Sequence, residues 1–336
     1  MTVGTLKNSF WKIWIYLKDK LGLLSDIFIV THVDVDGICS GAIALRHFKN
    51  AEIIFSRAGR VHEVLKSLPG HGKILVISDL GLNEAYLEET TKILMKLKSR
   101  GWRIYWFDHH RWSSEAIKRI KEIIDVLKVD IDKVGGEVVC DFFCAEDNLS
   151  IEIAKIARDA DMMIRADERT RLYVLALNGE GFKARKHILK LIARGIWEDE
   201  NILRWAENGK KKLERSREIG RKAEIRITKK GSKYAFLDLR GMNINGIEAA
   251  NEARKTLDID FCVVIYRNDR LSLYIGRRQD VNILGIAKKF GGGGHPFSCG
   301  VHLKLSLKSK ILSFIFGKLY TPPELKRVIA TIDEEL

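Results

Sequence analysis

Short apolar runs alternate with amphipathic stretches over the first third of the chain. The runs at 26–30, 51–55, 73–77 and 103–107 are almost continuously apolar, as in strands that are buried on both faces of a parallel sheet. Residues 38–48 and 84–98 instead carry apolar residues at helical spacing. This alternation of strands and helices predicts an α/β fold with a doubly wound parallel sheet.

The pattern of apolar and polar residues changes twice in the rest of the chain. Helical patterns dominate 151–194, and residues 197–225 are strongly charged with few apolar positions, which predicts a helical connector. A smaller alternating block follows, with strands at 234–239, 261–266 and 271–275 and a helix at 247–255. We predict five segments: an N-terminal amphipathic helix at 1–24, an α/β domain at 25–195, a helical connector at 196–225, a smaller α/β domain at 226–305 and a C-terminal tail at 306–336.

Acids and histidines follow three of the predicted strands. They are His32, Asp34 and Asp36 after the first strand, Asp79 after the third, and Asp108, His109 and His110 after the fourth. Ligands bind at the carboxyl edge of such sheets, so we expect these side chains to converge there.

This constellation has the chemistry of a metal site. Carboxylates this close repel one another unless cations lie between them, and carboxylates with imidazoles suit Mn²⁺, Mg²⁺ or Zn²⁺. There are enough ligands for two ions, and Asp79 could bridge them. The pattern therefore predicts two-metal hydrolysis of a phosphoester.

A second candidate site lies in the smaller block. Four consecutive glycines can bring backbone N–H groups close to anionic oxygens, and basic residues stand on either side of them. The candidate phosphate-binding residues are Arg277, Arg278, Gly292, Gly293, Gly294 and His295.

Composition narrows the choice of substrate. Lys and Arg number 58 against 44 Asp and Glu, and this formal net charge of +14 favours a polyanionic substrate, nucleic acid first. The abundance of Lys, Arg and Glu with a single glutamine is typical of thermophile proteins.

Five scattered cysteines indicate neither a disulfide framework nor a zinc knuckle. We find no signal peptide or bilayer-length apolar run and expect a cytoplasmic protein without membrane contact.

Five ordered motifs resemble those of the DHH phosphoesterase superfamily, which includes RecJ-like nucleases, nanoRNases and archaeal single-strand exonucleases. They are VTHVDVDG at 30–37, SDLG at 78–81, FDHH at 107–110, RDAD at 158–161 and FGGGGHPFSCG at 290–300. The resemblance covers nearly the whole chain. It implies a catalytic DHH domain, a DHH-associated C-terminal domain that binds substrate, and a substrate cleft between the two.

The resemblance also implies roles for individual residues. Two Mn²⁺ ions are expected, with Mg²⁺ as the alternative. His32 and Asp34 would hold one ion, Asp36 and His109 the other, and Asp79 would bridge them. Asp161 in the fourth motif would supply one further ligand, with Asp159 as a close competitor. Asp108 would orient its neighbours or bind directly, and His110 would face the scissile phosphate.

We therefore expect a Mn²⁺-dependent exonuclease on single-stranded DNA or RNA, with 3′ to 5′ cleavage of DNA in repair as the leading expectation. One alternative is a nanoRNase that also dephosphorylates 3′-phosphoadenosine 5′-phosphate. Another is a non-catalytic nucleic-acid-binding scaffold for replication or repair. The C-terminal tail is a candidate docking segment for a helicase or another replication or repair protein. The sequence does not decide whether the chain forms an oligomer.

Overall fold

The computed structural model describes Leu21 and residues 25–57, 59–278 and 280–336. The chain divides into two compact units, the first ending at Asn208 and the second beginning at Gly209. The predicted N-terminal helix at 1–24 lies outside the described residues, apart from Leu21. None of the described helices has the length and apolar character needed to cross a membrane.

The first unit is built on a parallel sheet, as predicted. Its described strands are β1 (Ile27–His32), β2 (Glu52–Ser56), β3 (Ile74–Ser78), β4 (Arg103–Asp108) and β5 (Val126–Val129). They lie in the order β2-β1-β3-β4-β5, and every neighbouring pair is parallel. The edge strand β5 was not predicted, because it has four residues and none of them is fully buried.

Helices cover both faces of this sheet. They are α1 (Val35–Phe48), α2 (Val61–Leu65), α3 (Leu87–Ser99), α4 (Ser114–Lys121), α5 (Gly135–Phe143), α6 (Asn148–Asp161), α7 (Glu168–Glu180), α8 (Phe182–Ile192) and α9 (Glu200–Arg221). The last of these, α9, lies where the connector was predicted and continues past Asn208 into the second unit.

Alternation along the strands explains why both faces are apolar. Ile29 and Phe107 belong to the core shared with α1, α5, α6 and α8, whereas Phe28 and Trp106 belong to the core shared with α2, α3 and α4. Successive strand residues point to opposite faces, so a sheet covered on both sides needs apolar residues at every position. Because both faces of the strands are buried, the polar residues begin only where the strands end.

The second unit has a mixed sheet. Its elements are β6 (Glu224–Ile227), β7 (Lys233–Asp238), α10 (Gly246–Thr256), β8 (Phe261–Arg267), β9 (Arg270–Ile275), α11 (Ile283–Lys289), β10 (Gly293–His295), β11 (Ser298–His302), α12 (Leu307–Phe316) and α13 (Pro323–Glu335). The strand order is β10-β11-β9-β8-β7-β6, and only β7 and β8 pair in parallel among the described strands.

The predicted C-terminal tail contains two helices of different character. Leu325 and Ile332 of α13 are fully buried in the core of the second unit, together with Tyr234 and Phe261 of its sheet. In contrast, α12 exposes Phe314 and its apolar neighbours to solvent. Within the predicted tail, α13 is therefore part of the core of the second unit, whereas α12 presents apolar side chains to solvent. Docking of another protein on the tail stays a prediction.

Candidate metal centre

The candidate residues lie where the order of the sheet reverses. From β1 the chain passes first to β2 on one side and then to β3 on the other, which makes the β1–β3 edge the switch point that binds ligands in open α/β sheets. His32 ends β1, Asp79 follows β3 directly and Asp108 ends β4. The sheet thus brings the three motifs to one edge, as the sequence predicted.

The turn after β1 places two acids at the start of α1. Asp34 is the N-cap of this helix, and its Oδ1 accepts a hydrogen bond from the Gly37 amide at 3.0 Å. Asp36 follows in the first turn of the helix. At Gly37, a Cβ atom would lie 2.5 Å from the carbonyl oxygen of His32, so only glycine fits this close approach of the backbone.

Asp36 is buried and held by the N-terminus of α5. Its two carboxylate oxygens accept hydrogen bonds from the amides of Gly135 (2.8 Å) and Gly136 (2.7 Å). Burial raises the pKa of Asp36, and the charge of nearby Asp79 raises it further. This glycine pair was not among the predicted site residues, since its contact with Asp36 joins distant parts of the chain.

The same glycines allow the helix to approach the centre. A Cβ on Gly135 would lie 2.7 Å from Cβ of Asp79, and one on Gly136 would lie 2.6 Å from Cβ of Ala157. Real Cβ atoms do not approach other atoms so closely. The N-terminus of α5, with its outward N–H groups, can therefore reach the acids only because these positions are glycine.

Asp79 lies between two of the histidines. Its Oδ1 is 3.2 Å from Nε2 of His109, and its Oδ2 is 3.6 Å from Nδ1 of His32. The residue has a φ of 54°, a left-handed conformation that aspartate tolerates better than most side chains. Within the described part of the chain Oδ2 is buried without a hydrogen-bond partner. An orphaned carboxylate oxygen at this position fits a ligand shared by two cations.

The candidate ligand atoms form three overlapping groups, in each of which they lie within 4.8 Å of one another. The groups are His32 with Asp34 and Asp79, Asp79 with His109 and His110, and Asp36 with His109 and Asp161. Asp79 and His109 each belong to two groups. Oxygen and imidazole donors in this number suit divalent cations such as Mn²⁺, Mg²⁺ or Zn²⁺.

The acids of the centre raise the pKa values of the neighbouring histidines. Burial lowers the pKa of His32, but the hydrogen bond to Asp34 and the nearby carboxylate of Asp79 outweigh it and raise this pKa to about 10. The hydrogen bond to Asp79 raises the pKa of His109 to about 9. Burial raises the pKa of Asp79 itself. The carboxylates of the centre therefore carry more negative charge than nearby Lys and Arg side chains neutralise. Such an excess of negative charge favours the binding of cations.

Asp108 orients the last histidine of the run. It is completely buried, with Oδ1 2.8 Å from Nδ1 of His110 and Oδ2 accepting from Nε1 of Trp112 at 2.6 Å. The bond to Asp108 raises the pKa of His110, whose side chain is 45% exposed. Asp108 lies outside the three ligand groups of the described residues, and Trp112 is a partner that the sequence did not reveal.

The two acids of the fourth motif have different surroundings. Asp161 ends α6, with its Oδ2 3.9 Å from Nδ1 of His109. Asp159 is buried, and its Oδ1 accepts from the amides of Ala166 (2.9 Å) and Asp167 (3.3 Å). The structure therefore brings Asp161 toward the centre and uses Asp159 to hold the turn after the helix.

The candidate phosphate-binding residues of the second unit are partly engaged. Arg277 pairs with Asp258, and Arg278 pairs with Asp280 through Nη2 at 2.5 Å. The backbone N–H of Gly292 donates to the Ala287 carbonyl at 2.8 Å, where it closes α11.

The end of the glycine run is a strand and not a loop. Gly293, Gly294 and His295 form the edge strand β10, which pairs with β11. The side chain of His295 is exposed, and its Nδ1 accepts from the Phe297 amide at 3.4 Å. This strand was not predicted, because glycines lack the side chains whose alternation marks a strand in the sequence.

The region that carries the candidate residues matches a known protein family. Residues 26–165 match the model of the DHH family, N-terminal domain, and a search of curated proteins finds no match. A pGpG-specific phosphodiesterase from Vibrio cholerae superposes with a TM-score of 0.51 at 12% identity, covering 90% of this chain and 99% of that one. This likeness concerns the fold alone.

Two RecJ structures are similar at lower scores. Exonuclease RecJ bound to manganese gives a TM-score of 0.49 at 15% identity, covering 91% of this chain and 93% of that one. RecJ in complex with Mn²⁺ from Thermus thermophilus gives 0.48 at 15% identity, covering 91% and 52%. The match over residues 26–165, on the strands that carry the DHH run, shows a DHH family N-terminal domain in this part of the chain.

Proposed function

We propose that the chain is a metal-dependent phosphodiesterase that acts as an exonuclease on single-stranded nucleic acid, with 3′ to 5′ cleavage of DNA as the specific form. The observation that carries the proposal is the position of Asp79, whose two carboxylate oxygens lie near His109 and His32. A carboxylate shared between two sets of ligands is the arrangement that two-metal hydrolysis requires.

The ligand groups suggest how two ions would be held. His32 and Asp34 would bind one ion, and Asp36, His109 and Asp161 the other, with Asp79 common to both. When bound, such a pair of Mn²⁺ or Mg²⁺ ions supplies Lewis acidity to the phosphoryl group and lowers the pKa of water.

Other side chains prepare the centre for a phosphodiester. The amides of Gly135 and Gly136 fix the Asp36 carboxylate, which reduces the reorganisation needed when ligands are bound. Asp108 holds His110 by Nδ1 and favours its protonated form at the exposed side of the centre. A half-exposed imidazolium there can donate to a phosphate oxygen that enters from solvent.

Charge supports nucleic acid as the substrate class. The formal net charge of +14 raises the local concentration of polyanions and favours their association. We assign Arg277, Arg278 and His295 of the second unit to contacts with the strand. A bound phosphate would have to compete with Asp258 and Asp280 for the two arginines.

End-labelled DNA and RNA of graded lengths test this proposal, with pGpG and 3′-phosphoadenosine 5′-phosphate as small-molecule arms. We expect single-nucleotide shortening of DNA from the 3′ end with Mn²⁺, loss of activity with chelator, and loss in Asp79→Asn. Glu146→Gln is the matched control, because Glu146 is exposed in the same unit and the change also removes one negative charge.

The outcomes separate the candidates. A clear preference for two-to-five-nucleotide RNA would replace the exonuclease by a nanoRNase, and a preference for pGpG would make it a dinucleotide phosphodiesterase. Binding of single strands without hydrolysis under any metal would leave a non-catalytic scaffold.

A further inference from the structure

A groove of about 800 Å³ runs along the first unit beside Asp108. The residues that matter for its chemistry are Arg111, Trp112, Lys128, Ile131 and Phe142. They come from the segment after the DHH run, from the edge strand β5 and the turn that follows it, and from α5. The volume is within the range of small-ligand sites. None of these residues belongs to the ligand groups of the described residues, and Trp112 touches the centre only through its hydrogen bond to Asp108.

A hydrogen-bond chain through the buried Asp108 links Trp112 of the groove to His110 of the centre. Nε1 of Trp112 donates to Oδ2 of Asp108 at 2.6 Å, while Oδ1 of the same carboxylate holds His110. Val129 of β5 is the register partner of Asp108, and the Asp130 amide donates to the Asp108 carbonyl at 3.0 Å. One carboxylate, that of Asp108, therefore contacts a residue of each site.

Two cations in the groove are available for an anion. Lys133 pairs with Asp141 at 2.5 Å and lies 3.6 Å from Asp130, so its charge is shared by the two acids that line the groove. Arg111 and Lys128 are exposed and form no ion pair with any acid in the described part of the chain. Unpaired guanidinium and ammonium groups beside a cavity suit phosphate.

The groove also presents fixed aromatic surface. Phe142 is 41% exposed, and its ring packs against Phe107 with centroids 5.1 Å apart. The indole of Trp112 is held edge-on by Trp106 at 4.8 Å as well as by Asp108. A rigid ring beside cations is the combination that binds single-stranded nucleic acid, because bases stack on the ring and phosphates meet the cations.

We propose that this groove binds the nucleotide next to the one whose phosphate reaches the metal centre, a proposal that rests on the function proposed above. Arg111 and Lys128 contact the phosphates of the strand, and a base stacks on Phe142. The ligand class is single-stranded DNA or RNA, and the binding is independent of base identity because every base has a stacking face.

Binding of a fluorescein-labelled twelve-nucleotide oligothymidylate in chelator tests the cations without hydrolysis. The double variant Arg111→Ala/Lys128→Ala should bind about tenfold or more weakly, and its affinity should depend less steeply on salt. The matched control is Arg103→Ala/Lys96→Ala, which removes the same charge from exposed, unpaired residues at the amino end of β4 and on α3. It should bind within about twofold of wild type.

The stacking contact is tested with 2-aminopurine in the oligonucleotide. Its fluorescence should be quenched on binding to wild type, and Phe142→Leu should remove at least half of that quenching. Leucine keeps an apolar contact with Phe107, so this variant preserves packing where alanine could disturb α5. Melting temperature provides the check that each variant is folded.

The groove and the proposed function fail in different ways. If wild type shortens DNA but both groove variants bind and quench like wild type, the groove is not a subsite. If wild type fails to hydrolyse any nucleic acid while the groove variants still lose binding, the proposed function is wrong and the groove is a binding site only. Equal loss in the groove and control double variants would mean that charge alone governs binding, which also overturns the subsite.

Discussion

Oδ1 of Asp79 lies 3.2 Å from Nε2 of His109, although the two residues follow different strands. The pairing of β3 with β4 places Ser78 opposite Phe107 and so brings the residues after them together. The other oxygen of Asp79 turns toward His32 after β1. One carboxylate therefore links all three strand ends, and this link is the basis of the proposed two-ion centre.

Asp79→Ala should reduce hydrolysis by more than about a hundredfold, which corresponds to about 2.7 kcal/mol in the barrier. The physical reason is the loss of the shared counter-charge between two cations. Turnover of end-labelled DNA measures it, with the melting temperature as the check on folding. Activity within tenfold of wild type would show that Asp79 is not a bridging ligand.

Metal binding should release protons at neutral pH. The pKa of His32 is raised to about 10 and that of His109 to about 9, so both imidazoles are protonated in the metal-free protein at pH 7.5. Their stabilisation of the metal-free fold is complete below the unfolded value of about 6.5 and is lost as the pH rises toward 9 and 10. A metal ion needs neutral imidazole, so its affinity should increase with pH over the same window.

Calorimetric titration of Mn²⁺ in two buffers of different ionisation enthalpy counts these protons. We expect the observed enthalpy at pH 7.5 to depend on the buffer, with net release of at least one proton. An enthalpy that is equal in both buffers would exclude protonated histidines from the metal site.

Gly136→Ala should destabilise the first unit by about 1–3 kcal/mol, the usual cost of overpacking. The new methyl group would lie 2.6 Å from Cβ of Ala157 and would push α5 away from Asp36. Chemical denaturation measures the change. Gly300→Ala is the control, since its Cβ would meet only ordinary contacts at 3.6 Å. Equal stability of the two variants would contradict the close packing of α5 on the centre.

Arg278→Ala should raise the apparent KM for oligonucleotides, with a smaller effect at high salt, because phosphate contacts are screened by ions. Metal content should not change. Arg226→Ala is a matched control, since Arg226 also pairs with an acid two residues away in the same unit. If both arginine variants behave alike, the ion pair with Asp280 keeps Arg278 from binding substrate.

The strands and acids of the centre were predictable because both signals are local. Continuous apolar runs mark strands buried on two faces, and the acids follow directly in sequence. The support from α5 was not predictable, since the hydrogen bonds from Gly135 and Gly136 to Asp36 join residues about a hundred positions apart. The pairing of Asp258 with Arg277 was not predictable either, because the two residues lie in different segments that only the fold brings together.

The sequence also could not assign roles where two residues of the same type stand in one motif. Asp159 and Asp161 are equivalent in a motif, yet one holds a turn and the other approaches His109. Only the direction of each side chain at the end of α6 separates them.

The number of Mn²⁺ ions bound per chain tests the shared carboxylate most directly. Equilibrium dialysis with metal analysis should find two ions in wild type and in Glu146→Gln, and fewer in Asp79→Asn, because an amide oxygen cannot supply the charge that a bridging carboxylate provides. One ion in wild type, or two in Asp79→Asn bound as tightly as in wild type, would contradict a centre built around Asp79.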